Sequence, residues 1–309
     1  MKGILDRLYE TSPVYLFNRE SRIVIFSDIH KGDGGDSDDF RENADIYHSA
    51  LEHYYENGFI LILLGDIEEL WEDDLDDVML RYPGIFEIYE RFYTERRLIK
   101  IIGNHDIFLD DEGYVSKMMK RIKKRRAEIS KNFPYSPVLE SLRLVCSEGE
   151  FFLFHGHQLD VVSNTLWKIS RFAVRYFWKS VQLILRFSSS SPSKVYRKRN
   201  ALEEKYYSWA ASREKIVICG HTHRAMFASR AGKEEGGQKD VSSGIQKPIY
   251  FNTGCGIYPD HKITCIELDS GKMSLVALTT EEKELKKVIL DSASVPDILN
   301  WEASSPYSV

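Results

Sequence analysis

Asp28 and His30 put a carboxylate and an imidazole two positions apart, just beyond the apolar run 23–26. The same ending occurs four more times. Asp66 follows the run 59–64, Asn104, His105 and Asp106 follow 98–102, His155 and His157 end "EFFLFHGH", and His221 and His223 end "KIVICGHTH". One such residue after a strand ordinarily caps a turn or bonds to backbone. Five clusters are a different matter. No packing requirement places imidazoles (His30, His155, His221, His223), carboxylates (Asp28, Asp66) and a carboxamide (Asn104) at successive strand ends. A metal centre, by contrast, needs nitrogen and oxygen donors delivered from separate elements. Donors of this kind, with no thiolate among them, suit Mn²⁺, Fe, Zn²⁺ or Co²⁺, with Mn²⁺ as the leading assignment, and argue against a structural zinc site. Gly65, Gly103, Gly156 and Gly220 each adjoin a proposed donor, where the chain must turn sharply and leave room for an ion and its substrate.

The elements that must carry these donors follow from the pattern around them. Each run is short and rich in Ile, Val, Leu and Phe without polar alternation, which marks a strand covered on both faces. Helical patterning fills the gaps: "ADIYHSALEHYYENG" closes on Gly58 as a C-terminal cap, and "VMLRYPGIFEIYERFYTERR" precedes the third strand. The rhythm is β-α-β. In such α/β sheets ligands bind beyond the carboxyl ends of the strands, and all five polar clusters would converge there.

The totals allow a sizeable core in 309 residues, with 43% hydrophobic and 29% charged residues typical of a globular protein. A net charge of -5 favours no polyanion, so no nucleic-acid partner is expected. The four cysteines, Cys146, Cys219, Cys255 and Cys265, show no C-x-x-C spacing and read as reduced thiols of a cytoplasmic protein. The start, "MKGILDRLYE", has no long apolar segment of a secretory signal. A single domain over residues 1–309 is expected.

In order and type these residues resemble the signature of the calcineurin-like metallophosphoesterase family: D-x-H (Asp28, His30), G-D-x-x-E (Gly65, Asp66, Glu69), G-N-H-D (Gly103, Asn104, His105, Asp106), H-G-H (His155, Gly156, His157) and G-H-x-H (Gly220, His221, His223). The resemblance implies an α/β fold, an αββα four-layer sandwich of two mixed sheets, with a helical cap insertion at about 160–213. It implies two divalent metal ions, one held by Asp28, His30 and His223, the other by Asn104, His155 and His221, with Asp66 bridging. A water or hydroxide between the metals would attack phosphorus in line, so the protein need supply no side-chain nucleophile. His105 would donate a proton to the leaving oxygen or bind the phosphoryl group, with Asp106 fixing its orientation. His157 is expected either to touch substrate or a ligand, or to be structural.

The second motif extends as "GDIEELWEDD", which resembles an element of the UDP-2,3-diacylglucosamine hydrolases, a branch that cleaves a pyrophosphate. That branch reads G-N-R-D where this chain has "GNHD", so His105 is a departure. The expected substrate is a phosphorylated small molecule or a lipid-linked or nucleotide-linked compound. The alternative is a catalytically silent scaffold of the same fold that binds proteins.

Four segments remain. The acidic runs at 33–42 and 68–77 are expected to be solvated helix starts and loops. The basic segment 117–126 is expected to be a solvated or anion-facing helix, the stretch 228–247 a surface loop, and the tail after about 280 carries no readable function. On the predicted helix 166–187, Lys168, Arg171, Arg175, Lys179, Gln182 and Arg186 fall within an arc of about 80° at about 100° per residue. Two readings stand side by side: a helix wedged into the protein or a homodimer interface, and an interfacial cap whose Arg171 and Arg175 meet substrate or lipid phosphates at the inner face of the membrane.

Overall fold

Ile23 and Ile25 face one hydrophobic cluster, Val24 and Phe26 face another, and all four are fully buried. A strand with apolar side chains on both faces needs a packed layer on each side. That requirement organises the fold. The structure, a computed structural model, describes residues 3–125, 137–159, 192–227, 249–282 and 284–300. The predicted helix 166–187, with Arg171 and Arg175, and the loop 228–247 lie outside the described residues.

The described strands are β1 (Val14–Leu16), β2 (Ile23–Phe26), β3 (Ile60–Leu64), β4 (Leu98–Ile101), β5 (Ser141–Cys146), β6 (Gly149–Phe154), β7 (Ile216–Cys219), β8 (Tyr250–Asn252), β9 (Ile263–Asp269), β10 (Lys272–Glu281) and β11 (Glu284–Ser294). They form two mixed sheets, one ordered β1-β5-β6-β7-β8 and the other β11-β10-β9-β2-β3-β4. β2, β3 and β4 are parallel neighbours, as are β6 and β7. The inner faces of the sheets meet through Ile23, Ile25, Ile62 and Leu64 on one side and residues of β6 and β7 on the other.

The helices are α1 (Ile4–Thr11), α2 (Ala44–Glu56), α3 (Leu75–Arg81), α4 (Pro83–Thr94), α5 (Glu112–Arg125), α6 (Pro192–Arg213) and α7 (Val295–Leu299). Tyr47, Tyr54, Phe86, Tyr89 and Phe92, from α2 and α4, cover the outer face of the six-stranded sheet. Leu5 and Leu8 of α1, with Leu202, Tyr206 and Ala210 of α6, belong to the cluster of the five-stranded sheet. The result is the expected four-layer α/β sandwich. α2 ends where Gly58 adopts φ +74, and the helical pattern after it divides at Pro83, the first residue of α4.

Of the segment expected as a helical cap insertion, about 160–213, the described part is α6, whose Leu202, Tyr206 and Ala210 recur every fourth residue and are buried in an outer layer of the sandwich. One expectation is corrected. The acidic runs are not simply solvated: Asp38, Glu68, Asp73 and Asp76 are buried. Arg121 and Arg125 of the basic segment reach back to Asp74, Asp76 and Asp77, so one run neutralises the other. The charged tail adds β11 antiparallel to β10 as a sheet edge.

A buried ion chain lies beneath the ends of β2, β3 and β4. Lys31 Nζ and Lys100 Nζ donate to the two oxygens of Glu68, each at 3.0 Å, and Lys100 also pairs with Asp106. Each of these four residues is at most 2% exposed. Asp106 in turn accepts from the backbone N–H of Ile67 (2.9 Å) and of Gly103 (2.6 Å), tying two of the turns together. Removing the central carboxylate leaves two ammonium groups without their shared partner, so Glu68→Ala is expected to lose about 3–5 kcal/mol of stability in urea unfolding. A loss below about 1 kcal/mol would show that these charges are not held as a dry chain.

Candidate metal centre

Each proposed donor sits where a strand of one sheet or the other runs out. Asp28 and His30 follow β2, Asp66 follows β3, and Asn104 follows β4, while His155 follows β6 and His221 and His223 follow β7. Asp28, His30, Asp66, His221 and His223 all take positive φ, between 50° and 67°. Left-handed backbone is costly for residues with a Cβ and least so for Asp, Asn and His. Main-chain bonds hold it in place: Asp28 N–H donates to Gly65 O, His30 N–H to Asp66 O, and Gly220 N–H to His155 O. Gly103 and Gly220 are required sterically, since a Cβ would lie 2.1 Å from Asp66 Oδ1 in the first case and 2.4 Å from Asp28 Oδ2 in the second.

The two sheets are stitched together at this end. His155 Nδ1 donates to Leu64 O at 2.9 Å, and His221 N–H donates to the Asp28 carboxylate at 2.9 Å. The donor atoms of Asp28, His30 and His223 lie within 4.8 Å of one another, and so do those of Asp66, His155 and His221. His30 Nε2 is 4.0 Å from both Asp28 Oδ1 and Asp66 Oδ2, between the two groups. Asn104, 4% exposed, occupies the same turn as His105, whose N–H donates to Asp66 Oδ1 at 2.8 Å.

The electrostatics fit cations. Burial raises the Asp28 carboxyl, but His223 and His155 outweigh it and bring it below the ordinary range. Asp66 is likewise held well below its usual value by His155, His105 and His30 against the burial cost. His155, which burial would make less basic, is pushed up to about 9 by Asp66 and Asp28. Among the described residues no lysine or arginine pairs with either carboxylate, so the raised imidazoles of His155 and His105 supply positive charge that a divalent cation would replace. Asn104 Oδ1 is buried without a hydrogen-bond partner, and His155 Nε2 has Asp66 Oδ2 beside it at 3.0 Å. His155 Nδ1 is committed to Leu64 O, so Nε2 is the nitrogen that could ligate a cation. His30 Nε2 and His223 Nε2 stand 3.2 Å apart, close enough to serve one cation together.

His105 is oriented by a residue other than the one expected. Its Nδ1 lies 2.6 Å from a carboxylate oxygen of Glu69, which also holds His30 Nδ1 at 2.9 Å, and its ring stacks on Trp71 with centroids 4.1 Å apart. Asp106 instead faces Lys100 and the two backbone N–H groups, because it is drawn into the ion chain below. Glu69 was visible only as the last letter of G-D-x-x-E, with nothing in the sequence to say that it reaches two histidines. Burial pulls His105 down, but Glu69 and Asp66 reverse this and raise it to about 9. His157 is 8% exposed, with its ring 5.6 Å from that of His155. Arg171 and Arg175 lie outside the described residues. No helix among the described residues is long and apolar enough to cross a membrane.

The calcineurin-like phosphoesterase family model matches residues 21–225, which carry all five motifs. A search of curated proteins gave no significant match. Among solved structures, vacuolar protein sorting 29 from Cryptosporidium parvum aligns over 89% of this chain and 98% of its own, with 11% identity and a TM-score of 0.39. A single-mutant vacuolar protein sorting 29 from Entamoeba histolytica aligns over 87% and 99%, with 12% identity and a TM-score of 0.37. With a family model spanning most of the chain and its motif residues converging at the strand ends, this protein belongs to the calcineurin-like phosphoesterase family.

Proposed function

We propose that the chain hydrolyses phosphate esters or pyrophosphates with two divalent cations, Mn²⁺ foremost. Asp28, His30 and His223 would hold one, Asn104, His155 and His221 the other, and Asp66 both. The observation that carries this reading is the convergence of six donors from two sheets, Asp28, His30 and His223 in one group and Asp66, His155 and His221 in the other, with only histidines among the described residues to neutralise the buried carboxylates. When bound, cations at such a centre polarise phosphoryl oxygens, lower the pKa of water and offset the charge that builds up during transfer.

The chain's own contribution to the reaction is proton supply and orientation. A protonated His105 donates through Nδ1–H to Glu69, which fixes the ring and leaves Nε2–H for the leaving oxygen. With a cation bound, Asp66 would pull less on His105, while Glu69 keeps its direct contact. Trp71, stacked on His105, limits the ring's freedom and offers an apolar wall beside the leaving group. His223 is the more open part of the first donor group, with 36% of its side chain exposed against 0% for Asp28, so substrate enters from that side.

The run "GDIEELWEDD" supports a pyrophosphate in a nucleotide-linked or lipid-linked substrate. Its Asp66, Glu69 and Trp71 belong to the site, while Asp73 and Asp74 bond to Asp33 N–H and Arg121. In this reading the segment 166–187, with Arg171 and Arg175, touches the substrate's phosphates or the inner face of the membrane in the cytoplasm. Purified protein with Mn²⁺ is assayed on a chromogenic phosphodiester, a phosphomonoester and a UDP-linked pyrophosphate. Turnover of one class identifies the substrate, and no turnover of any with metal bound overturns the proposal.

Two predictions follow from the division of roles. Asp66→Asn removes the shared negative charge and lowers both metal content and rate, whereas His105→Ala keeps the metal and slows turnover by about 10²–10⁴. Equal loss of metal in both variants contradicts the assignment. In metal-free protein, histidine NMR titration should place His105 near 9, and Glu69→Gln should bring it down toward the ordinary value of 6.5. An unchanged midpoint would show that Glu69 does not govern His105.

A further inference from the structure

The two histidine turns of the five-stranded sheet are each anchored at their middle residue by a side chain from one face of α6. In the first turn, between His155 and His157, Gly156 O accepts from Tyr206 OH at 2.6 Å. In the second, between His221 and His223, Thr222 Oγ1 donates to Glu203 Oε1 at 3.0 Å. Glu203 and Tyr206 are three positions apart, so they lie one turn apart on the same helix face. Tyr206 is 0%, Glu203 7% and Thr222 8% exposed.

Both anchors are specified closely. The Thr222 hydroxyl accepts from Asn252 Nδ2 at 3.1 Å, so its single proton goes to Glu203. The other Glu203 oxygen is held by Arg224 at 3.1 Å, which fixes the carboxylate from the far side. Gly156 has φ +126, and a Cβ there would lie 2.9 Å from Tyr206 OH and 3.0 Å from His221 Cβ, so Tyr206 and the two turns are in direct contact. The His155 and His221 rings have centroids 5.2 Å apart, and these are the side chains that form one donor group with Asp66.

We propose that Glu203 and Tyr206 are positioning residues of the metal centre: α6 sets the separation of the two histidine turns, and through it the affinity for the cation held by His155 and His221. The inference rests on the metal-centre reading above. It adds that the helix following the segment 160–191 acts on the centre through two hydrogen bonds rather than through bulk packing. Removing partners that orient metal ligands typically weakens metal binding by about 10–100-fold.

Titration calorimetry of Mn²⁺ into the metal-free full-length chain tests this, with thermal unfolding of each metal-free variant alongside. Tyr206→Phe, which removes only the hydroxyl, and Glu203→Ala should each weaken Mn²⁺ binding about 10-fold or more. Glu203→Gln keeps an oxygen for the Thr222 hydroxyl and should stay within about 3-fold of wild type, well short of the loss expected for an abolished contact. If Glu203→Gln falls as far as Glu203→Ala, the carboxylate acts by charge and the positioning role is overturned. Lower unfolding temperatures with unchanged Mn²⁺ affinity in both Tyr206→Phe and Glu203→Ala overturn it as well, since the contacts would then serve stability alone. A wild-type chain that binds no divalent cation overturns the metal-centre reading and this inference together, which separates that failure from the others.

Discussion

Two carboxylates, Asp28 and Asp66, are buried at the ends of neighbouring parallel strands with, among the described residues, only imidazoles to neutralise them. Like charges roughly 4–8 Å apart repel by roughly 2–4 kcal/mol at an effective dielectric of about 20, and desolvation adds to that cost. A fold tolerates such an arrangement only if positive charge is delivered to the same place. The second sheet delivers it, since His155, His221 and His223 arrive from β6 and β7 across the inner hydrophobic layer. The sandwich and the charge pattern are therefore one constraint: without sheet-on-sheet packing the histidines would have no fixed position opposite the carboxylates.

The backbone shows the same priority. Of ten non-glycine residues with positive φ among the described residues, five are proposed donors, which makes the site the main concentration of this strain. At about 1–2 kcal/mol each, five such residues persist only because hydrogen bonds between turns over-determine them. The ion chain through Lys31, Glu68, Lys100 and Asp106 is part of that support, since Asp106 ties the turn after β4 to the turn after β3.

Much of this was legible in the chain. Apolar runs without alternation end abruptly in Asp, Asn or His, and that break marks both the strand boundary and the site. The donors are local features of strand ends, so sequence spacing reaches them. The misreadings concern side chains whose partners lie far away in sequence. Glu69 meets His105 36 positions on, and Lys100 meets Glu68 across β3 and β4, so neither pairing is encoded in local spacing. Asp106 looked like the natural partner of its neighbour His105, yet two backbone N–H groups and Lys100 draw it the other way. The acidic run that looked solvated proved to pair with the basic helix, a contact between α3 and α5 that composition cannot reveal. β11 was hidden because an edge strand with Lys286, Lys287 and Asp291 shows no apolar periodicity.

The most direct test of the account is a crystal structure of the Mn²⁺-soaked chain, with anomalous difference maps collected at the manganese edge. The account predicts two peaks, one among Asp28, His30 and His223 and one among Asn104, His155 and His221, with Asp66 touching both. Manganese elsewhere, such as among Asp74, Asp76 and Asp77, with none at the strand ends, would contradict it.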